Sequence, residues 1–312
     1  MELPQNVKSE LNELEQLYGL KALQKAAEEI SLRYRSAQRS GKPLLTTNIE
    51  AAAYALSRMP ATFGAVSTAL SHVGEVVNLD DINSVCDLGA GTGAATIAVT
   101  ERCNPNKITC IEKEPAMLQL GTHFAKGEWL LADTTAVKNL KADLVVSSYM
   151  FNELAESSRA TLLKDMAKAT NKLLLIVENG TPEGFKIIKE IGEKARELGL
   201  YIAAPCPDIA CCPIAEGDWC HFTCRVARSR VHKLLKGGDA PYEDEKFCYI
   251  ALTTARTQPV TARILRHPKV ESGKITLKLC TSGGITQKIQ TKKDKEAFKA
   301  ARKAAAGNSF NY

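Results

Sequence analysis

The fold of this chain is decided by a nine-residue stretch, Val85-Cys86-Asp87-Leu88-Gly89-Ala90-Gly91-Thr92-Gly93. The apolar residues up to Leu88 predict a buried strand, and the three glycines predict a tight turn that opens a helix. Glycine adopts positive φ angles and lets a ligand approach the backbone where a side chain would collide. The N-terminus of the following helix offers free N–H groups to an anion. The stretch therefore predicts a ligand-binding strand–turn–helix unit.

Asp87, an acid, ends this strand and distinguishes the turn from the dinucleotide-binding fingerprint. In that fingerprint the glycines usually follow the strand without a preceding acid. Asp-Leu-Gly-x-Gly-x-Gly resembles the S-adenosylmethionine-binding turn of class I methyltransferases. Two further acids end the next two predicted strands: Glu112, which can accept both ribose hydroxyls, and Asp133, near the adenine amino group. The resemblance implies a cofactor site made of Asp87, Gly89, Gly91, Gly93, Glu112 and Asp133. The alternatives are a nicotinamide site and a fold that has lost its ligand.

Short strands and helices alternate around the glycine turn. Strands are predicted at 85–88, 107–111, 129–132, 144–147 and 173–177, with helices at 94–102, 115–124, 157–169 and 182–198. This alternation is typical of a parallel, doubly wound sheet. Together with the resemblance of the glycine turn, it predicts an α/β fold of the class I methyltransferase (Rossmann-like) type, with an N-terminal helical region and a Cys-rich metal-binding insertion.

The same reading divides the chain into five parts. Residues 1–80 form the N-terminal helical region, and one of its helices should stop before the Met59-Pro60 step. Residues 81–205 form the Rossmann-like core, 206–245 the Cys-rich insertion with a basic arm, and 246–285 the last two strands of the same sheet, predicted at 247–253 and 274–279. Residues 286–312 form a basic tail, which we expect to be a fraying helix or disordered.

The cysteines are unevenly placed, with seven of the ten between Cys206 and Cys280. Such clustering favours a metal site or redox chemistry over disulfides in an intracellular chain. Prolines after Cys206 and Cys212 prevent a helix, so that the sulfurs can converge. Zinc sites usually use Cys-x₂₋₄-Cys pairs. The wider spacing of Cys206, Cys212 and Cys220 suits an iron–sulfur cube better, with a fourth ligand from farther along the chain and zinc as the alternative.

Three motifs occur in one order: the glycine turn, Cys-Pro…Cys-Pro…Asp-Trp-Cys-His-Phe at 206–222, and Glu-Asp-Glu-Lys-Phe at 243–247 with Tyr249 following. Together they are similar to the methyltransferase-like proteins associated with the mitochondrial small ribosomal subunit, and to their bacterial relatives. Arg-Met-Pro-Ala-Thr at 58–62, and Leu-Cys at 279–280 followed by Gly283, fit the same family over about residues 30–285. The resemblance implies small-subunit assembly or translation through rRNA contact, and a [4Fe–4S] cluster on Cys206, Cys212, Cys220 and Cys280.

Some positions depart from the family pattern or have open roles. Asp208 stands where relatives often show histidine, and Cys211 is placed to replace Cys212 as a ligand. We expect Cys224 and Cys248 to be buried in regular structure. We expect Trp219 to pack over the cluster and His221 to donate a hydrogen bond beside it.

The charge is divided unequally along the chain. Residues 1–220 hold 22 Lys and Arg against 28 Asp and Glu, a net of −6, whereas residues 221–312 hold 19 against 7, a net of +12. A basic C-terminal third predicts a polyanionic partner, and nucleic acid is the first candidate. On a helix, Arg225, Arg228 and His232 would share one face that neutralises phosphates. The C-terminal lysines would reach RNA as an unfolded tail.

Composition narrows the functional class. No apolar run approaches the ~20 residues of a membrane span, and acids at positions 2, 10, 13 and 15 disfavour a leader. We therefore expect a cytoplasmic monomer. The hypothesis is an S-adenosylmethionine-binding factor for the small ribosomal subunit, with an active RNA methyltransferase or a zinc-stabilised small-molecule methyltransferase as alternatives. Residues 147–154 contain neither an Asn/Asp-Pro-Pro-aromatic turn nor a cysteine nucleophile, so no catalytic residue is predicted.

Overall fold

The computed structural model describes residues 1–36, 45–134, 138, 140–208 and 211–311. The predicted N-terminal helical region contains α1 (Gln5–Tyr18), α2 (Leu20–Ser36) and α3 (Asn48–Val73); residues 37–44 of that region lie outside the described residues. A reciprocal cap starts α3: the Thr47 hydroxyl accepts the Glu50 N–H, and the Glu50 carboxylate accepts the Thr47 N–H. This pair satisfies two of the N–H groups that a helix start leaves without partners.

Helix α3 runs through Pro60, so the prediction that it stops before the Met59-Pro60 step was wrong. Proline removes one helical hydrogen bond and costs about 3 kcal/mol in a helix interior. The helix is continuous because apolar side chains are buried on both sides of the proline, among them Leu56, Met59 and Phe63. Burial of a single such side chain contributes roughly 1.5–3 kcal/mol.

The main sheet consists of β1 (Ser84–Leu88), β2 (Lys107–Glu112), β3 (Glu128–Leu131), β4 (Ala142–Ser148), β5 (Thr170–Asn179), β6 (Tyr201–Ala204), β7 (Phe222–Ala227) and β8 (Tyr242–Thr253). Its order is β3-β2-β1-β4-β5-β8-β6, and β7 also pairs with β8. Strands β1 to β5 are parallel to one another, whereas β8 is antiparallel to β5 and β6. A final antiparallel strand inserted beside the fifth is the arrangement of the class I methyltransferase fold.

Helices cover both faces of this sheet. On one face α1 to α3 pack with α4 (Ala94–Cys103) and α5 (Pro115–Phe124), and on the other lie α6 (Glu156–Ala169) and α7 (Pro182–Glu197). A short helix, α8 (Arg230–Lys236), follows β7. The predicted alternation of strands and helices from 85 to 198 is therefore confirmed. None of the described helices combines the length and apolar character that crossing a bilayer requires.

The long strand β8 is shared by two neighbours on its outer edge. β7 pairs with its first half, from Tyr242 to Phe247, and β6 pairs with its end, from Ala251 to Thr253. The Cys-rich segment joins β6 to β7, so it leaves the sheet where the two partners of β8 separate. This arrangement brings the segment beside Cys248 and Tyr249.

The prediction that residues 274–279 form the last strand of the main sheet was wrong. They belong to a second, antiparallel sheet made of β9 (Ala262–Ile264), β10 (Lys269–Glu271), β11 (Lys274–Thr281) and β12 (Gly284–Thr291). β11 alternates buried Ile275, Leu277 and Leu279 with more exposed residues, a pattern that needs cover on one face. The short turn to β12 makes the hairpin local, so β11 pairs with its neighbour in sequence and not with β8.

The basic tail is folded, which corrects the prediction of a fraying or disordered segment. Helix α9 (Lys295–Lys303) begins at Asp294, whose carboxylate accepts the Ala297 N–H at 3.0 Å. Phe298 and Ala301 of α9, together with Phe310, cover the apolar face of the second sheet. An amphipathic helix is stable here because the sheet buries its apolar side.

Candidate functional site

The glycine turn after β1 has the geometry that its sequence predicts. Gly89, Gly91 and Gly93 have φ angles of 69°, 58° and 83°, all in the left-handed region. A Cβ on Gly89 would lie 2.9 Å from the Met150 sulfur, and one on Gly93 would lie 2.8 Å from the Ala125 Cβ. Positive φ therefore favours glycine at all three positions, and at Gly89 and Gly93 a side chain would also collide with its neighbours.

Asp87 lies beneath this turn and is fully buried. The Thr96 hydroxyl, on α4, donates to its carboxylate at 2.6 Å. Burial raises the pKa of Asp87 to about 7, against the opposing hydrogen bond from Thr96. Asp87 does not line the cavity that lies beside this turn. Its role is to hold β1 and α4 together under the glycine turn.

Glu112 ends β2 and connects two backbone segments. One carboxylate oxygen accepts the Gly91 N–H at 2.8 Å and the other accepts the Glu114 N–H at 2.9 Å. Its pKa is raised, first by burial, although these hydrogen bonds oppose the shift. Glu114 in turn accepts the Leu45 N–H at 2.9 Å, which ties the segment before α3 to the same edge of the sheet.

The crevice at the carboxyl ends of β1, β2 and β4 is a cavity of about 100 Å³. Of the six predicted cofactor residues it is lined by Gly89, Gly91, Glu112 and Asp133, whereas Asp87 and Gly93 stand behind it. Tyr54 and Met150 line it as well, from α3 and from the turn after β4. Small-molecule sites typically measure 300–1,000 Å³. A nucleoside-sized ligand would therefore require side chains such as Met150 to move.

The lining of this cavity is acidic. Glu153 lies beside Glu112 and Glu114, and its pKa is raised to about 7 by burial first and by these carboxylates as well, against Lys113. Asp133 lies at the exposed rim of the same cavity. A group of carboxylates favours a cationic ligand, and the sulfonium and ammonium groups of S-adenosylmethionine are cations.

Sequence reasoning missed an interaction that supports the turn after β4. Tyr149 has a φ angle of 59°, and its hydroxyl donates to Glu245 at 3.1 Å. Arg58, on α3, donates to the same carboxylate oxygen at 3.1 Å, and its guanidinium lies 5.7 Å from the centre of the Tyr149 ring. These residues come from three distant parts of the chain, so no local pattern could have predicted their contact.

Asn152, in the turn after β4, has a structural role. Its side-chain amide donates to Glu178 at 2.8 Å and to the Tyr149 carbonyl at 3.1 Å. Glu178 is fully buried at the end of β5 and also accepts the Phe151 N–H at 2.7 Å. The pair thus fixes the backbone of the turn that lines the cofactor cavity.

A second cavity, of about 90 Å³, brings together the four predicted metal ligands. Cys206 follows β6, Cys212 and Cys220 lie in the segment before β7, and Cys280 lies on β11 of the second sheet. Cys211 and Cys248 line the same cavity. Residues 209–210, within the predicted Cys-rich run, lie outside the described residues.

The thiols of this cavity influence one another. Burial raises the pKa of Cys206 to about 12, and Cys280 and Cys212 contribute to this shift. Burial also raises the pKa of Cys280 to about 11, with Cys212 adding to the shift. Thiols with raised pKa values stay protonated at neutral pH unless a cation binds them, because the thiolate is the metal ligand.

The chemistry of the donors fits a thiolate-held metal group, although their spacing does not suit one ion. Within the described part of the chain, no three His, Cys, Asp or Glu side chains come close enough to hold a metal ion. The cavity is several times the roughly 10–15 Å³ that one water occupies. Four thiols spread around such a space suit a group with several separated metal atoms, or would have to close up around one zinc ion.

Two neighbours of Cys220 anchor the Cys-rich segment to both sheets. The Trp219 indole donates to the Gly180 carbonyl at 3.0 Å, and its ring stacks on His221 at 5.4 Å. Asp218 pairs with Lys278 of β11 at 3.0 Å and with Arg266 at 2.6 Å. Cys220 is therefore placed by contacts on either side of the cavity.

The extra cysteines differ in their environment. Cys224 and Cys248 are buried in β7 and β8, as expected from sequence. Cys248 also donates its thiol to the Asn179 carbonyl at 3.1 Å. Cys211, beside Cys212, is exposed.

The predicted basic arm is largely neutralised, which corrects the expectation of a helical phosphate-binding edge. Arg225 lies on β7 and makes two hydrogen bonds to Asp244, at 2.8 and 3.0 Å. Glu243 pairs with three residues of the arm: Arg228, His232 and Lys236. His232 is 1% exposed, so it faces the protein and not a partner. The acidic Glu-Asp-Glu run opposite the arm accounts for the difference.

Cations on and before α9 form a different surface, which we call the α9 basic surface. Its members are Lys292, Lys293, Lys295, Lys299, Arg302 and Lys303, all exposed. None of the ion pairs found in the described ranges includes any of them. Lys295, Lys299 and Arg302 follow i, i+4, i+7 spacing and share one side of α9. Charge without partners is therefore concentrated on this helix.

Comparison with known proteins identifies the family to which this chain is similar. A family model described as mitochondrial small ribosomal subunit Rsm22 matches residues 48–311. The human ribosome assembly protein METTL17, mitochondrial, is 24% identical over 251 residues, which are 69% of this chain and 53% of that protein. The chain thus spans about half the length of the curated relative that it matches.

Two of the similar solved structures are named as methyltransferases. Magnesium protoporphyrin IX methyltransferase from Synechocystis PCC 6803, with bound S-adenosylmethionine, has a TM-score of 0.41 and 13% identity over 72% of this chain and 91% of its own. A putative RNA methyltransferase from Pyrococcus horikoshii has a TM-score of 0.40 and 13% identity, over 73% of this chain and 96% of its own.

Proposed function

Because the chain belongs to the mitochondrial small ribosomal subunit Rsm22 family, we propose that it assists assembly of the small ribosomal subunit or translation by it. In this proposal it binds S-adenosylmethionine beside the glycine turn and holds a [4Fe–4S] cluster on Cys206, Cys212, Cys220 and Cys280. It contacts small-subunit rRNA through the α9 basic surface. The cofactor serves mainly to stabilise the fold.

One observation carries the proposal: cysteines from the main sheet's insertion and from the second sheet line the same cavity. A metal group bound there would join the two sheets, and its binding energy would become folding energy. The second sheet carries α9 on its apolar face. Binding of a metal group in this cavity would therefore fix the position of the α9 basic surface relative to the methyltransferase-like core.

The α9 basic surface suits contact with a nucleic-acid backbone. Its cations are exposed and have no ion-pair partners among the described residues, so they are available to phosphates. Contacts of this kind give affinity that depends on salt and carries little sequence information. The family's connection with the small ribosomal subunit makes rRNA the polyanion that we propose.

Metal analysis tests the cluster against zinc. We expect protein purified without oxygen to contain iron and acid-labile sulfide in equal amounts and to absorb near ~400 nm, as thiolate-held iron–sulfur clusters do. Colourless protein that contains one zinc ion would instead favour the zinc-stabilised alternative.

Crosslinking of the same preparation to immature small subunits, followed by sequencing of the attached rRNA, tests the partner. Absence of rRNA crosslinks from α9 would contradict the proposed contact.

At the cofactor crevice, Glu112 would accept the ribose hydroxyls and the acidic lining would favour the cationic end of the ligand. When bound, S-adenosylmethionine supplies an electrophilic methyl group. Side chains that line the crevice must make room, since the cavity measures about 100 Å³. Calorimetric titration with S-adenosylmethionine and with S-adenosylhomocysteine tests this site. The acidic lining predicts tighter binding of the cation.

A working RNA methyltransferase is the second candidate, and Glu153 favours it. This carboxyl lines the cofactor cavity, and a pKa near 7 suits a general base. Incubation with radiolabelled S-adenosylmethionine and immature small subunits, followed by counting of methyl groups per particle, separates the two candidates. Stoichiometric labelling that Glu153→Gln abolishes, without loss of cofactor binding, would establish turnover. Absence of labelling at full cofactor occupancy favours the non-catalytic role.

A further inference from the structure

Arg263, on β9, is the largest fully buried side chain near the cysteine cavity, with 1% of its surface exposed. It lines the same cavity as Cys206, Cys212, Cys220 and Cys280. Its Nε donates to the Pro205 carbonyl at 2.9 Å, next to the first of these cysteines. The side chain therefore belongs to the wall of the cavity and touches the backbone that carries a proposed ligand.

The guanidinium of Arg263 is only partly paired. Nη1 donates to the Gly307 carbonyl at 2.9 Å and to Glu75 at 2.6 Å. Nη2 is buried and has no hydrogen-bond partner among the described residues. A buried charged donor without an acceptor destabilises the fold. Such a cost points to an acceptor that binds in the cavity.

The charge in this region is also unbalanced. Arginine stays protonated at any physiological pH, and its one carboxylate partner, Glu75, is partly exposed to solvent. A cluster held by four thiolates is a net anion. It would supply both the charge and the sulfur acceptors that Nη2 lacks.

We propose that Arg263 donates its Nη2 N–H groups to the sulfur atoms of the bound cluster and partly neutralises its charge. The inference rests on the proposed function, since it needs a cluster in the cavity. Arg263 is a positioning residue and holds no metal atom. Hydrogen bonds and nearby charge set the reduction potential of thiolate-held clusters. In a buried site a nearby charge acts with little solvent screening.

Arg263 also links three backbone segments, so its structural and electrostatic effects must be separated. Arg263→Gln removes the charge, whereas Arg263→Lys keeps the charge and loses the planar fork that holds Pro205 and Gly307. The matched control is Arg196→Gln. Arg196 lines the same cavity but is exposed, so solvent screens its charge.

The experiment measures the midpoint potential of the holoprotein by spectroelectrochemical titration, together with the rate of iron loss to a chelator. Reduction adds negative charge, so Arg263→Gln should lower the potential and shift the reduction equilibrium by about tenfold, or about 59 mV for one electron. Iron should leave about tenfold faster. Arg263→Lys should stay near the wild-type potential, and Arg196→Gln should shift it much less than Arg263→Gln. Glu75→Gln should raise the potential because it removes the competing carboxylate.

Several outcomes would overturn the inference. Loss of thermal stability in both Arg263 variants, with the wild-type potential and iron-loss rate retained, would make Arg263 purely structural. Equal shifts for Arg263→Gln and Arg196→Gln would remove any special role for Nη2. If Arg263→Gln does not fold, Glu75→Gln decides, and an unchanged potential counts against the inference. Wild-type protein that holds no iron would instead refute the proposed cluster itself.

Discussion

Cys206 and Cys280 lie on different sheets and line one cavity. Cys206 follows β6 of the main sheet, and Cys280 lies near the end of β11 in the second sheet. After burial, the Cys280 thiol is the largest cause that raises the pKa of Cys206. A group bound by both would hold the two sheets together. The first two predictions follow from this relationship.

Replacement of Cys206 by serine should release the metal and loosen the second sheet. We expect at least tenfold loss of RNA affinity, with less than threefold loss of S-adenosylmethionine affinity, because the glycine turn lies outside this cavity. Metal content, RNA binding by filter assay and cofactor binding by calorimetry check the three effects. Full metal content and full RNA affinity in Cys206→Ser would refute the ligand assignment.

Adjacent Cys211 and Cys212 offer a matched pair of variants. Cys212 belongs to the same apolar cluster as Cys280 and Cys220, whereas Cys211 is exposed. We therefore expect Cys212→Ser to lose metal and Cys211→Ser to keep it. Iron and sulfide per chain, measured after anaerobic purification, check the assignment. The reverse result would make Cys211 the ligand.

The Glu112→Gln substitution should weaken S-adenosylmethionine binding by about tenfold, since hydrogen bonds to charged groups contribute roughly 1.5–3 kcal/mol. The amide keeps one acceptor for the Gly91 N–H, so the fold should survive. Glu128→Gln, an exposed carboxylate on β3 away from the cavity, is the control. Calorimetric titration measures both affinities. Equal binding by wild type and Glu112→Gln would remove Glu112 from the cofactor site.

Asp87 should make stability fall as the pH rises. Its pKa is raised from 3.8 to about 7 in the folded protein. Between these values the unfolded chain has lost a proton that the folded protein keeps, so the free energy of unfolding decreases from about pH 4 to 7 and this contribution then levels off. Asp87→Asn removes the titration and still accepts from Thr96.

Urea unfolding at pH 5 and pH 8 tests this prediction. Wild type should lose more stability between these values than Asp87→Asn does. Other carboxyls, such as Glu153, titrate in the same range and affect both proteins alike. Parallel pH dependence in the two proteins would show that Asp87 has an ordinary pKa.

Substitution of Lys295, Lys299 and Arg302 by glutamine should reduce the salt dependence of RNA binding. Each phosphate contact contributes about 0.7 to 0.9 to the slope of log K against log salt concentration, so the slope should fall by about 2. The control replaces Arg225, Arg230 and Lys233 of the basic arm, of which Arg225 is already paired with Asp244. We expect a smaller change for the control. A larger change would return the RNA contact to the arm.

Local patterns predicted much of the main sheet. The alternation from residue 85 to residue 198, the three glycines and the positions of Glu112 and Asp133 at strand ends all follow from short-range sequence. Strand and helix periodicity, and the positive φ that only glycine adopts without strain, depend on neighbours within a few residues. The structure adds that Asp87 and Gly93 support the turn from behind and do not line the cavity.

The number of charged residues in a segment predicted the basic surface less well than the ion pairs that those residues form. The basic arm and α9 have similar composition, but Glu243 and Asp244 on β8 face the arm because β7 pairs with β8 in one register. No such acidic strand lies against α9 among the described residues. Sequence indicated a basic C-terminal third and could not say which of its cations had partners.

Short-range sequence features were enough to predict the strand–turn–helix unit, the order of the Rossmann-like elements and the candidate thiols. The folded structure was needed to show that residues 274–281 leave the main sheet, that Arg58, Tyr149 and Glu245 meet, and that Arg263 joins the cysteine cavity. The two kinds of feature differ in the sequence distance over which they are set. Turns and periodicities are set by steric and hydrogen-bonding preferences of adjacent residues, whereas these contacts depend on which strands pair and on what each sheet face must bury.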